Sequence, residues 1–289
     1  MLKKIVYMTD REYGKEKIEK LFDRLAENGV ETEIRIMDIT AAALYLAKDD
    51  IGDSDMKNGE TLYITDSPVC QKIALQYELP LLLYLYEDNR NSTFLPAAYA
   101  VEQIEEIEYT SLLQEYQRLV GEPWHILTTK RCIVRETTTE DVDSFYKIYA
   151  DPSITKYMEN LYTDRAQEIA YIEDYIKTVY GFYGYGMWTI LTKEDNIVIG
   201  RAGLSWREGY DIPELGFVVA KPYQRQGYAY EVCRAILEYG EAKLGFMCFQ
   251  AFIMAGNDIS EKLCRKLGFE FLEEVVSEGI IYKRMICDI

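Results

Sequence analysis

The chain has 289 residues, with 32 Lys and Arg against 49 Asp and Glu, for a formal charge of −17. That length fits about two domains, and 48% hydrophobic with 28% charged residues is the mix of a folded globular chain, which excludes disordered and collagen-like classes. The acidity argues against nucleic acid, whose phosphates need Lys and Arg to displace their counterions, and a single histidine, His125, excludes a His-rich metal site.

In chain order, residues 4–8 form a short apolar, β-prone run, and a helix follows with Ile18, Leu21, Phe22 and Leu25 on one face. Gly29 stands where a helix C-cap glycine belongs. Residues 33–37 alternate like a strand and 61–65 form another; Asp66 or Ser67 then caps a helix reaching about Glu78. Residues 79–86 are apolar on both faces, as a buried parallel strand is. With the amphipathic stretch 110–120, this alternation predicts a small Rossmann-like α/β layer domain over residues 1–125. The break at Gly121-Glu122-Pro123 marks its end, and His125 reads as a structural linker residue. Residues 1–125 hold 13 basic and 24 acidic residues, a net −11, so most of the acidity falls there.

The second domain, residues 126–289, predicts a different order. A strand (132–136) precedes helices after Thr139 and over about 164–178; strands follow at 186–192, 197–204 and 214–220. A helix from about Gln226 to Leu244, a strand (248–254), a helix (258–267) and two strands (269–275, 279–286) complete it. This is an α+β order. The six cysteines show no C-x-x-C spacing and read as buried thiols. No apolar run is long enough to cross a bilayer, and the N-terminus turns charged within ten residues, unlike a signal peptide. A cytoplasmic protein without metal is the expectation, with neither nucleic acid nor membrane as partner.

The informative segment is PELGFVVAKPYQRQGYAYE, residues 213–231. A strand enters a loop that opens a helix, so consecutive backbone N–H groups point the same way with the helix dipole behind them. Gly227 lets an anion approach the backbone and Arg225 adds charge. On these grounds the loop is an anion cradle or an ordinary strand–helix turn.

The pattern Q-x-x-G-x-A at 224–229 resembles the diphosphate loop of the GNAT N-acetyltransferases. A second motif, Asn257 and Ser260 followed by Gly268-Phe269, resembles that family's N-x-x-S and L-G-F segment. The resemblance covers about 130–289 and is strongest to the branch with ribosomal-protein N-terminal acetyltransferases. It implies a GNAT-like α+β domain with a mixed, splayed central sheet, acetyl-CoA as cosubstrate and an amine-bearing acceptor. The splayed parallel strands would be 214–220 and 248–254. Phe217, Val218 and Val219 would supply backbone to the pantetheine and hold the acetyl carbonyl; Gln224, Arg225, Gln226, Gly227, Tyr228 and Ala229 would cradle the diphosphate. Asn257 and Ser260 would meet the cosubstrate as well, although a helix N-cap is the other reading of Asn257.

An attacking amine must lose a proton, and with His125 remote from any motif a carboxylate is the natural base. Glu214 matches the strand position where family members carry it; otherwise it orients a cationic substrate. Where relatives place a tyrosine as acid, this chain has Cys264. That departure motivates the alternative of a CoA-binding sensor or scaffold without turnover. Tyr183, Tyr185 and Trp188, in a Tyr- and Gly-rich segment, read either as an aromatic wall for the amine or as core. In the first domain, Asp10 and Asp66 stand at strand ends, where α/β sites cluster. They faintly resemble the aspartates of haloacid-dehalogenase-like phosphatases. The D-x-D pair is absent, so a regulatory, dimerising or inactive domain is the expectation, and a homodimer stays open.

Overall fold

The computed structural model describes residues 2–11, 15–37 and 60–288. The chain divides into two compact units, Met1–Glu122 and Pro123–Ile289.

The first unit contains β1 (Lys4–Thr9), α1 (Glu16–Ala26), β2 (Glu31–Ile36), β3 (Thr61–Thr65), α2 (Pro68–Gln76), β4 (Leu81–Tyr84), β5 (Ala100–Val101) and α3 (Tyr109–Val120). The strands form one sheet in the order β2-β1-β3-β4-β5, with every neighbouring pair parallel. β3 and β4 are buried at every residue, as strands covered on both faces must be. α1 buries Ile18, Leu21 and Leu25, each contributing about 1.5–3 kcal/mol, while Phe22 is only half-buried at the edge of the same core. Ser67 caps α2: its hydroxyl accepts from the N–H groups of Val69 (3.2 Å) and Cys70 (3.3 Å), and Pro68 opens the first turn. β5 escaped the sequence reading because two residues show no periodicity.

The second unit contains β6 (His125–Thr128), β7 (Cys132–Arg135), α4 (Val142–Tyr149), α5 (Pro152–Thr155), α6 (Arg165–Tyr175), α7 (Gly181–Tyr183), β8 (Met187–Thr192), β9 (Val198–Ser205) and β10 (Glu214–Val219). It continues with α8 (Tyr228–Leu244), β11 (Cys248–Met254), α9 (Asp258–Lys266), β12 (Glu270–Ser277) and β13 (Ile280–Asp288). His125, expected in a linker, instead opens β6 and pairs with Arg135 of β7. The sequence reading missed β6 because one half-exposed turn separates it from β7. α6 is followed by a single wide turn, Ile176–Tyr180, so the regular helix ends earlier than the apolar spacing suggests.

The eight strands run β12-β13-β11-β10-β9-β8-β7-β6. All neighbours are antiparallel except β10 and β11, which are parallel and meet only at Glu214 and Gln250 before diverging. The expected splayed sheet is thus present. One core packs Trp188, Ile190, Val232, Ile236 and Phe249 together, uniting the sheet with α8. Another packs Val142, Phe145, Ile172 and Val218, uniting it with α4 and α6. All six cysteines are free thiols. Among the described residues no helix is long and apolar enough to cross a membrane, and no group of three His, Cys, Asp or Glu side chains is placed to hold a metal ion.

Candidate active site

The site begins with the register of β10. On one edge β10 pairs with β9 from Glu214↔Ser205 to Val219↔Gly200, and just beyond it the Ala220 N–H donates to the Ile199 carbonyl at 2.7 Å. In an antiparallel ladder, residues alternate between pairs that exchange hydrogen bonds and pairs that do not. Counting back from Ala220, the backbone groups of Val218, Gly216 and Glu214 face β9. Those of Leu215, Phe217 and Val219 face the opposite edge. β11 covers that edge only at its start, where the Gln250 N–H donates to the Pro213 carbonyl at 2.9 Å. Phe217 and Val219 therefore present backbone to an open wedge. Val218, expected among the pantetheine contacts, turns its N–H and C=O to β9 and buries its side chain, so it offers no backbone to the wedge.

Gln250 closes the apex of the wedge. It is fully buried, and its side-chain oxygen accepts from the Arg284 guanidinium at 2.9 Å. Its amide nitrogen donates to the Ile212 carbonyl, tying β11 to the entry of β10.

At the open end, the Gln224 side chain donates to the Val219 carbonyl at 2.8 Å. Arg225 (φ 59°) and Gly227 (φ 84°) both lie in the left-handed region, which costs a non-glycine residue such as Arg225 about 1 kcal/mol. Alternating the hand of the backbone turns successive N–H groups toward one concavity. Among the described residues, no backbone carbonyl accepts from the N–H groups of Arg225 to Tyr230; the first helical bond runs from Glu231 to the Gly227 carbonyl at 3.0 Å. Unbonded N–H groups thus gather at the start of a 17-residue helix, an arrangement that can take an anion.

Arg131, between β6 and β7, supports the cradle from behind. It donates to the Gln226 carbonyl at 3.0 Å, lies 4.1 Å over the Tyr228 ring, and pairs with Glu231 at 2.7 Å. Glu231 also accepts from the Thr129 hydroxyl at 2.7 Å. Burial opposes the Glu231 charge, but the hydrogen bonds from Thr129 and Arg131 outweigh it and hold this carboxyl below the usual glutamate range. These supports were missed because they lie about a hundred residues from the loop; an acidic residue in the first turn of α8 was the one local sign.

Glu214, the expected base, is mostly buried, and both of its oxygens meet Arg207, at 2.7 and 3.2 Å. To take a proton it must use the lone pairs Arg207 leaves free. Asn257 caps α9, accepting from the Ser260 N–H at 3.3 Å, so the capping reading of this pair is realised. Cys264 is fully buried and burial pushes its thiol up to about 12, which places it out of reach as an acid. Trp188 is 0% exposed and belongs to the core rather than to an aromatic wall. Tyr185 is nearly as buried, while Tyr183 stays exposed. At Gly186 a Cβ would stand 2.6 Å from the Tyr175 hydroxyl, so the glycine permits close packing.

In the first unit, Asp10 is exposed and Asp66 buried. Asp66 accepts from the Tyr86 hydroxyl at 2.8 Å, and Arg11 donates to that same hydroxyl at 3.0 Å.

Residues 131–270 match the acetyltransferase (GNAT) domain family. An uncharacterized N-acetyltransferase, YoaA of Bacillus subtilis (strain 168), is 26% identical over 163 residues, covering 55% of this chain and 88% of its own. An uncharacterized N-acetyltransferase, p20 of Bacillus licheniformis, is 28% identical over 149 residues, covering 50% of this chain and 82% of its own. A putative GnaT-family acetyltransferase structure from Bordetella pertussis aligns with a TM-score of 0.49 at 19% identity, covering 57% of this chain and 99% of that one. The C-terminal half of the chain is a GNAT acetyltransferase domain, and the protein is an acyltransferase.

Proposed function

We propose that the C-terminal unit transfers an acetyl group from acetyl-CoA to a primary amine by direct attack on the thioester. The observation that carries this reading is the wedge between β10 and β11, which exposes Phe217 and Val219 backbone and leads to the unbonded N–H groups of Arg225 to Tyr230. An extended amide-bearing chain can pair with the first, and a diphosphate with the second. Gln224, Arg225, Gln226, Gly227, Tyr228 and Ala229 take the diphosphate in this assignment, with Asn257 and Ser260 fixing the neighbouring helix start.

In the reaction, the amine nitrogen bonds to the thioester carbonyl carbon and the carbon–sulfur bond breaks. The nitrogen gives up a proton, and the departing sulfur gains one. We assign the first transfer to Glu214, acting through water while Arg207 holds its carboxylate in place. Solvent supplies the proton to sulfur, because Cys264 is buried. The test is titration with acetyl-CoA followed by thiol release across an amine panel. Tight binding with amine-dependent release is expected, and absence of acetyl-CoA binding overturns the assignment.

A further inference from the structure

The wedge between β10 and β11 has two margins at its open end. One is the stretch just past β10, Ala220 and Lys221. The other is the turn past β11, where Gly256 precedes Asn257, the cap of α9. Among the described residues, strand pairing joins β10 to β11 only at Glu214 and Gln250. The separation of the two margins must therefore be set by another element.

α5 and the turn after it supply that element. Ile154 is 6% exposed and shares a core with Val218 and Ala220, which seats the segment on the β10 side. The Lys156 N–H donates to the Pro152 carbonyl at 3.2 Å, so the helical path continues past α5. Ser153 and Tyr157 stand four residues apart, a spacing that puts both on one side of a helical turn. Each reaches a different margin. The Lys221 ammonium donates to the Ser153 hydroxyl at 3.1 Å, and the Tyr157 hydroxyl donates to the Gly256 carbonyl at 2.9 Å. Asp151 fixes the first end by accepting from the Ser153 N–H and hydroxyl at 2.8 and 2.7 Å. The Lys156 ammonium, 4.8 Å from the Tyr157 ring centroid, steadies the second. The margins are thus spanned by one helical turn, about 5.4 Å of rise, and two side chains.

We propose that Tyr157 is a positioning residue for the cosubstrate: through Gly256 it holds the β11 margin at the distance from β10 that a pantetheine arm needs. This rests on the acetyl-transfer reading and adds a residue outside both motifs. Tyr157 acts through the backbone before Asn257, not on the reacting atoms. Without its hydroxyl the margin samples other widths, and binding bears the cost of ordering it.

Tyr157→Phe removes that hydroxyl and keeps the ring. Acetyl-CoA is titrated calorimetrically into the full chain, and thiol release is followed with an amine that the wild type accepts. The dissociation constant and KM for acetyl-CoA should rise about fivefold, as loss of one neutral hydrogen bond does. Both kcat and the KM for the amine should stay within about twofold, a split that general loosening of the fold would not give. Ser153→Ala cuts the other end of the span and should weaken acetyl-CoA binding by a similar factor, which keeps the test open should Tyr157→Phe fail to fold. A span needs both ends, so the double variant should lose about fivefold, whereas independent contacts would multiply to about 25-fold. Unchanged or tighter binding in Tyr157→Phe, or a multiplied loss in the double variant, overturns the positioning role and leaves acetyl transfer standing. Binding without turnover of any amine overturns acetyl transfer, and the titrations then decide the positioning role. Absence of acetyl-CoA binding by the wild type overturns both.

Discussion

The two units treat parallel strands in opposite ways. In the N-terminal sheet β1 pairs with β2 over six residues and with β3 over five, each in unbroken register. In the C-terminal sheet the single parallel neighbourhood, β10 with β11, stops after one residue pair. A zipped ladder satisfies its own backbone and leaves nothing for a ligand. An interrupted ladder leaves donors and acceptors that need another partner. The difference teaches where to look for chemistry: in the unit whose sheet is left unfinished, with the loop at its open end equally unsatisfied.

Mutations can break or sharpen that contrast. The largest expected effect is at the apex of the wedge. Glu214→Gln should reduce turnover by about 100-fold or more, as loss of a positioned base does, while acetyl-CoA affinity stays within about twofold; unchanged turnover in a thiol-release assay would remove Glu214 from the reaction. Next comes the cradle. Gly227→Ala forces a side chain into φ 84° and sets its Cβ 3.5 Å from the Arg131 guanidinium, so acetyl-CoA affinity measured by calorimetry should fall about tenfold.

A smaller effect is expected behind the cradle. Glu231→Gln should lower stability by about 1–2 kcal/mol, read by denaturant titration. Because the folded state holds the Glu231 carboxyl low, wild type's advantage is fully present above the ordinary glutamate value and shrinks as pH falls below it. An advantage that grew in acid would contradict the assignment. The smallest effect should come from the zipped sheet. Asp66→Asn keeps a partner for the Tyr86 hydroxyl and should leave acetyl-CoA affinity unchanged within about twofold. A large loss of affinity would erase the contrast between the units.

Much of the fold was legible because its signals are local. β11 and α9 match their expected ranges closely, since each is a strong periodic run bounded by turn residues. Gly227 and Gln224 could be read as a cradle because backbone sterics and helix polarity act within a few residues. Trp188 could not be placed, since an aromatic residue at the start of a strand looks the same from its sequence whether it faces core or cleft. Arg207 was equally silent: its pairing with Glu214 depends on a hairpin folding back.

The amino-acid sequence by itself therefore determined the elements, their order, the turn chemistry and the loop. Those depend on φ preference, side-chain periodicity and capping over short windows of chain. The tertiary structure alone decided which backbone groups of β10 face the wedge, because that depends on the parity of its register with β9. It alone brought Arg131 to Glu231 across a sequence separation of 100 residues. Electrostatic pairing depends on distance in space, and no local pattern in the chain encodes that distance.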